Sequence, residues 1–147
     1  MRLDEAKEIL KKNGYLLEDK YMDDLDAELD DITKPITVDY IDQNNYEDYI
    51  GQFVNVTGNV YLSSLDLTEL PIKFGKVGGH FDCSYNKLTS LEGSPREVGG
   101  LFYCYGNDLT TLEGAPEKVG KIFDCTRNKL TTLKGAPEEV WRWFLLL

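Results

Sequence analysis

The segments FDCSYNKLTSLEGSP (81–95), FYCYGNDLTTLEGAP (102–116) and FDCTRNKLTTLKGAP (123–137) follow one another at a constant interval of 21 residues. Extended outward without a gap, the same interval aligns Val77, Val98, Val119 and Val140, and it aligns Phe81, Phe102, Phe123 and Phe144. Further columns hold Cys83, Cys104 and Cys125; Asn86, Asn107 and Asn128; Leu88, Leu109 and Leu130; Leu91, Leu112 and Leu133; and Pro95, Pro116 and Pro137. A degenerate earlier copy keeps the register with Val56, Gly58, Val60, Leu62, Leu67 and Leu70. Residues 53–147 are therefore expected to form a repeat array of four copies and a truncated fifth.

Self-similarity at such a period is the mark of a solenoid, in which no coil buries its apolar face alone and stacking makes the core. The Phe-x-Cys segment alternates apolar and polar residues, the period of a strand with one buried face. Equivalent strands one coil apart are expected to pair in parallel, with the Cys column as a row of small buried hydrophobes. The Asn column predicts a ladder that satisfies backbone groups at the sharp turn after each strand. Leu-x-x-Leu re-enters the core, and Gly-x-Pro makes an extended return in place of a long helix. Gly78-Gly79 and Gly99-Gly100 read as tight turns leading into strands.

The unit Phe-x-Cys-x-x-Asn-x-Leu-Thr-x-Leu-x-Gly-x-Pro resembles the leucine-rich repeat, nearest to the short type of secreted bacterial effector proteins. The run LPIKFGKVGG (70–79) followed by CSYNKLTSLEGSP (83–95) is also similar to repeat proteins encoded by bacteriophages and prophages. The resemblance implies an α/β fold: a right-handed leucine-rich-repeat solenoid with parallel β-strands on its concave face. It also implies a role in binding other macromolecules. Leu65 departs from the pattern by standing where the ladder Asn belongs, as a terminal coil would have it. No segment of this chain corresponds to the ubiquitin-ligase domain of the effector family, so that activity is not carried over.

Charge divides the 147 residues. Residues 1–52 hold 15 acidic against 6 basic side chains, whereas residues 53–147 hold 11 against 10. The acidic part is expected to be a small α-helical amino-terminal cap. Asp4 would cap a first helix carrying Ala6, Ile9 and Leu10 and stopping at Asn13-Gly14. Met22, Leu25, Leu29 and Ile32 lie at helical spacing before Pro35. The Asp and Glu residues of 23–31 read as a solvated helix face, without the Gly and Glu spacing of a calcium loop. A net charge of −10 argues against direct nucleic-acid binding, because phosphate contacts need clustered Lys and Arg. No apolar run is long enough for a membrane span, and the opening MRLDEAKEILKKNG is charged, so a cytoplasmic protein is expected, in a bacterial host if phage-encoded. Three cysteines at spacings unlike a zinc site suggest free thiols, and neither metal nor cofactor is expected.

Catalysis is not expected. His80 and Cys83 fall on opposite faces of one strand. His80, Asp82 and Ser84 share a face but are expected to lie roughly 6.6 Å apart in succession, too far for a triad. The outer strand positions form a grid instead, and its candidate partner-binding residues are Tyr61, His80, Asp82, Leu101, Tyr103, Tyr105, Ile122, Asp124, Trp143 and Leu145, with Trp141 beside them. Exposed Tyr and Trp supply contact area at low entropic cost. The final WRWFLLL is unprotected by charge or proline, so residues 141–147 are expected to pair with a second copy, as a homodimer, or with a partner protein. The resulting reading is a non-enzymatic protein-interaction module with an unidentified protein partner. The alternative is an acidic, nucleic-acid-mimicking inhibitor of a host defence or nucleic-acid enzyme, acting through Asp23, Asp24, Asp26, Asp30 and Asp31.

Overall fold

A computed structural model describes Glu5, Glu8 and residues 34–145. The unit that begins at Pro35 is a β-solenoid built from two parallel sheets. One sheet holds β1 (Ile36–Val38), β2 (Phe53–Val56), β4 (Lys73–Val77), β6 (Glu97–Val98), β8 (Lys118–Val119) and β10 (Glu139–Val140), in that order. The other holds β3 (Val60–Tyr61), β5 (Phe81–Asp82), β7 (Phe102–Tyr103), β9 (Ile122–Asp124) and β11 (Trp143–Leu145). Each coil thus contributes one short strand to each sheet. A corner of two or three residues, Gly78-Gly79 in one coil and Gly99-Gly100 in the next, joins them.

The 21-residue columns become stacked rows. Phe81 pairs with Phe102, and Phe102 with Phe123. Their rings stack at centroid distances of 5.2 Å, and Phe144 continues the row at 5.0 Å from Phe123. This repeat is close to the spacing of neighbouring strands, about 4.8 Å, so identical side chains meet face to face wherever identical positions stack. Around this row lie Cys83, Cys104 and Cys125, the Leu88–Leu109 and Leu91–Leu112 pairs, and Val54, Val56, Val77, Val98 and Val119 of the first sheet, all buried. Leu133, third in its column, is 47% exposed because no further Leu-x-x-Leu coil lies over it among the described residues.

The corner glycines answer to close approach, not to backbone freedom. Gly78, Gly99 and Gly120 do not have left-handed φ angles, but a Cβ on each would press into the carbonyl oxygen of the corner beneath, at Thr57, Gly78 and Gly99. At this point the backbones of successive coils touch, and a methyl group has no place.

The amino-terminal expectation needs correction. The α/β class with a small α-helical cap is not supported: within 34–52 the chain forms β1 and a single 3-10 turn at Tyr46–Tyr49. β1 pairs in parallel with β2, and Ile41 bridges Val60, so this segment carries the strand stack on to Ile36. Tyr46 and Tyr49 pack against the core. The helices expected over Asp4–Gly14 and Met22–Ile32, and the acidic run at 23–31 with the mimicry reading built on it, lie outside the described residues. Among the described residues no helix is long and apolar enough to cross a membrane.

Candidate functional site

Sheet β3–β5–β7–β9–β11 turns its Phe and Cys side inward, and the alternate positions form the outer face. Register places Tyr61 beside Asp82, Asp82 beside Tyr103, and Tyr103 beside Asp124. One continuous row therefore alternates phenol and carboxylate across four coils. Tyr61 is 46% exposed, while Asp82, Tyr103 and Asp124 are half-buried. Tyr105 stands edge-on to Tyr103 at 5.5 Å and to Tyr85 at 5.1 Å, which ties three phenols into one cluster. Partial burial raises the Tyr103 hydroxyl pKa, with Tyr105, Asp124 and Asp82 adding to the shift. Tyr103 is therefore a neutral hydrogen-bonding phenol at ordinary pH.

Both aspartates are fixed by the turns that end their strands. The Ser84 backbone N–H and hydroxyl both donate to Asp82 Oδ1, and the Thr126 N–H and hydroxyl do the same to Asp124 Oδ1. These are Asx turns, in which a carboxylate two residues back takes the place of a backbone acceptor. The sequence-based distance for this pair is corrected accordingly. β5 stops at Asp82 and the chain turns, so Ser84 folds back to within 2.5 Å of the carboxylate instead of continuing along a strand. Ser84 is buried, and its hydroxyl proton goes to Asp82, not to the imidazole. His80 Nδ1 accepts the Leu101 N–H at 2.9 Å, and the His80 N–H donates to Asn59 Oδ1 at 2.8 Å. A neutral ring then carries its proton on Nε2, and Nδ1 is committed to holding the next coil. The imidazole is therefore not paired with the Ser84 hydroxyl.

The thiols are enclosed in the core. Cys83, Cys104 and Cys125 are free and buried. Burial pushes the Cys83 and Cys104 thiols far above the ordinary range, Asp82 adding at Cys83 and the neighbouring thiols at Cys104. Burial, with Asp124 adding, pushes Cys125 up to about 11. Among the described residues no group of His, Cys, Asp and Glu could hold a metal ion.

Beneath the outer face runs the Asn ladder. Asn107 Nδ2 donates to the carbonyls of Cys83 and Cys104 at 3.1 and 3.0 Å, and its Oδ1 accepts the Leu88 N–H at 3.0 Å. Asn86 and Asn128 repeat the scheme one coil to either side. The turn that each Asn supports holds Ser64, Tyr85, Gly106 or Arg127 in left-handed backbone, and Tyr85 is thereby presented half-exposed beside Tyr105.

The remaining candidates divide between surfaces. Leu101 and Ile122 are half-buried in the row that starts at Asn59 and His80. Trp143, 66% exposed, and Leu145, 42% exposed, lie on β11, which has β9 on one side and no strand on the other among the described residues. Trp141 does not join them. It occupies the corner column after β10 and lines a separate groove of about 270 Å³ with Val77, Gly78, Val98, Gly99 and Gly120. Sequence reasoning missed Tyr85, whose exposure depends on the left-handed turn and not on strand alternation. Comparison with family models, with curated proteins and with solved structures found no match to this chain.

Proposed function

We propose that this chain is a non-enzymatic protein-interaction module of the leucine-rich-repeat kind, encoded by a phage or prophage and acting in the bacterial cytoplasm. Its partner binds across the outer face of β3, β5, β7, β9 and β11. The observation that carries this reading is the three-phenol cluster of Tyr85, Tyr103 and Tyr105 set beside Asp82 and Asp124 on a sheet whose other side carries the buried Phe81, Phe102 and Phe123. Rigid aromatic groups on a preformed surface lose little entropy on association, and such residues dominate the energetics of protein interfaces. The Asn-x-Leu-x-x-Leu spacing supports the family, and the ladder bonds of Asn86, Asn107 and Asn128 are what that spacing is for.

A photoreactive phenylalanine analogue at position 105, with a second at position 132 as control, tests the surface in cells. The expected result is a protein cross-linked from position 105 alone, with recovery reduced at least tenfold by Tyr103→Ala. Cross-linking equal at both positions, or absent at 105, refutes the reading.

A further inference from the structure

We infer that the row Tyr61–Asp82–Tyr103–Asp124 docks a cationic segment of the partner protein, two Lys or Arg side chains meeting Asp82 and Asp124 on either side of the Tyr103 ring. This rests on the interaction-module reading and specifies the chemistry of what is bound. Each aspartate uses Oδ1 for its own turn, and among the described residues no donor reaches either Oδ2. Neither residue belongs to any of the five ion pairs found among the described residues. The outward positions of β3, β5, β7, β9 and β11 include no Lys or Arg. Arg127, in the turn after β9, gives its Nη1 to the Tyr85 hydroxyl.

The other sheet differs. Its outward row reads Lys76, Glu97, Lys118, Glu139, so its charges alternate in sign and cancel within the molecule, with Lys76 and Glu97 paired at 3.7 Å. Of these two rows, the Tyr–Asp row is the one whose charges meet no opposite charge within the row. Held carboxylates flanking a half-buried phenol suit a guanidinium or ammonium, which meets a carboxylate by charge-assisted hydrogen bonds and a ring through its face. Asp82 and Asp124 lie two coils apart, about 10 Å at ordinary strand spacing. Two cations three residues apart in a polyproline segment span about 9 Å, close to that separation.

The test is a ¹H–¹⁵N NMR titration of the full chain, at physiological salt, with acetyl-Arg-Pro-Pro-Arg-amide, the Glu-Pro-Pro-Glu analogue and spermidine. The Arg peptide is expected to shift resonances of Tyr61, Asp82, Tyr103, Tyr105 and Asp124, and the Glu peptide none. Asp82→Asn with Asp124→Asn should weaken binding at least fivefold, while Glu92→Gln with Glu138→Gln leaves it unchanged. Asn keeps the Oδ1 acceptor, so the turns survive, as an unchanged amide spectrum elsewhere will verify. Shifts scattered over the acidic surface, or equal affinity in the Asn variant, overturn the inference. Spermidine binding as tightly as the peptide overturns the commitment to a protein segment. A partner that cross-links at position 105 and binds the Asn variant as well as the parent ends this inference alone; loss of all cross-linking there ends the module reading.

Discussion

Asn107 makes four hydrogen bonds to backbone groups from a position that is almost fully buried. Asn107→Ala leaves the Leu88 N–H without its acceptor, while the Cys83 and Cys104 carbonyls each keep an amide donor, from Asn86 and Asn128. With about 1–3 kcal/mol for that unpaired N–H and about 1 kcal/mol for the bonds lost at the carbonyls, a loss of about 3 kcal/mol in urea unfolding is expected. Asn128→Ala, at a half-buried site, should cost less. The thiols supply a pH test. A folded pKa of about 11 at Cys125, against 9.0 for a free thiol, means that the fold favours the neutral form. Stability from this source is complete below pH 9 and falls as pH rises through about 11. Thermal unfolding between pH 8 and 11.5 should show a shallower alkaline decline in Cys125→Ala than in the parent. At this scale the sequence was informative where a residue repeats: the Asn and Cys columns named their own roles. Asp82 and Ser84 were misread because strand alternation was extended past the point where β5 ends.

The glycine corner is a property of elements in contact. Gly99→Ala forces a methyl group against the Gly78 carbonyl, fixed backbone that cannot yield, and a loss of about 2–3 kcal/mol is expected. Gly51→Ala is the informative contrast. Its φ of +77° is strained for alanine, yet nothing lies within 4 Å, so about 1 kcal/mol is expected by the same denaturation assay. The strands facing the Phe row were readable from alternation, but the second sheet was not. β6, β8 and β10 contain two residues each, with one valine turned inward, too short to show a period. β1 was missed for a different reason. Ile36 pairs with Val54 and Ile41 with Val60, separations of 18 and 19 residues, so the first coil falls out of the 21-residue register that reveals the others. The helices expected from apolar spacing cover Asp4–Gly14 and Met22–Ile32, and that spacing assigns no element to the strand and 3-10 turn that follow Pro35.

Across the solenoid, two columns alternate in charge from coil to coil. Asp66, Lys87, Asp108 and Lys129 form one column, with ion pairs of 3.2 Å for Lys87–Asp66 and 2.8 Å for Lys129–Asp108. Exposed pairs of this kind contribute little singly, but reversing one sets like charges side by side. Lys87→Glu places a carboxylate between Asp66 and Asp108. It should cost about 1 kcal/mol at low salt, most of it recovered at 1 M NaCl where screening acts within about 3 Å. Guanidine-free thermal melts in the two salts measure the difference.

The same alternation fixes how this chain can change length. Coils one apart differ in kind, Tyr against Asp on one face and Lys against Glu on the other, whereas coils two apart match. Removing a single coil would bring Asp66 against Asp108 and Lys76 against Lys118; removing two keeps opposite-sign neighbours in both columns. The unit of growth or loss that this architecture tolerates is therefore 42 residues, twice the period that first reveals the repeat.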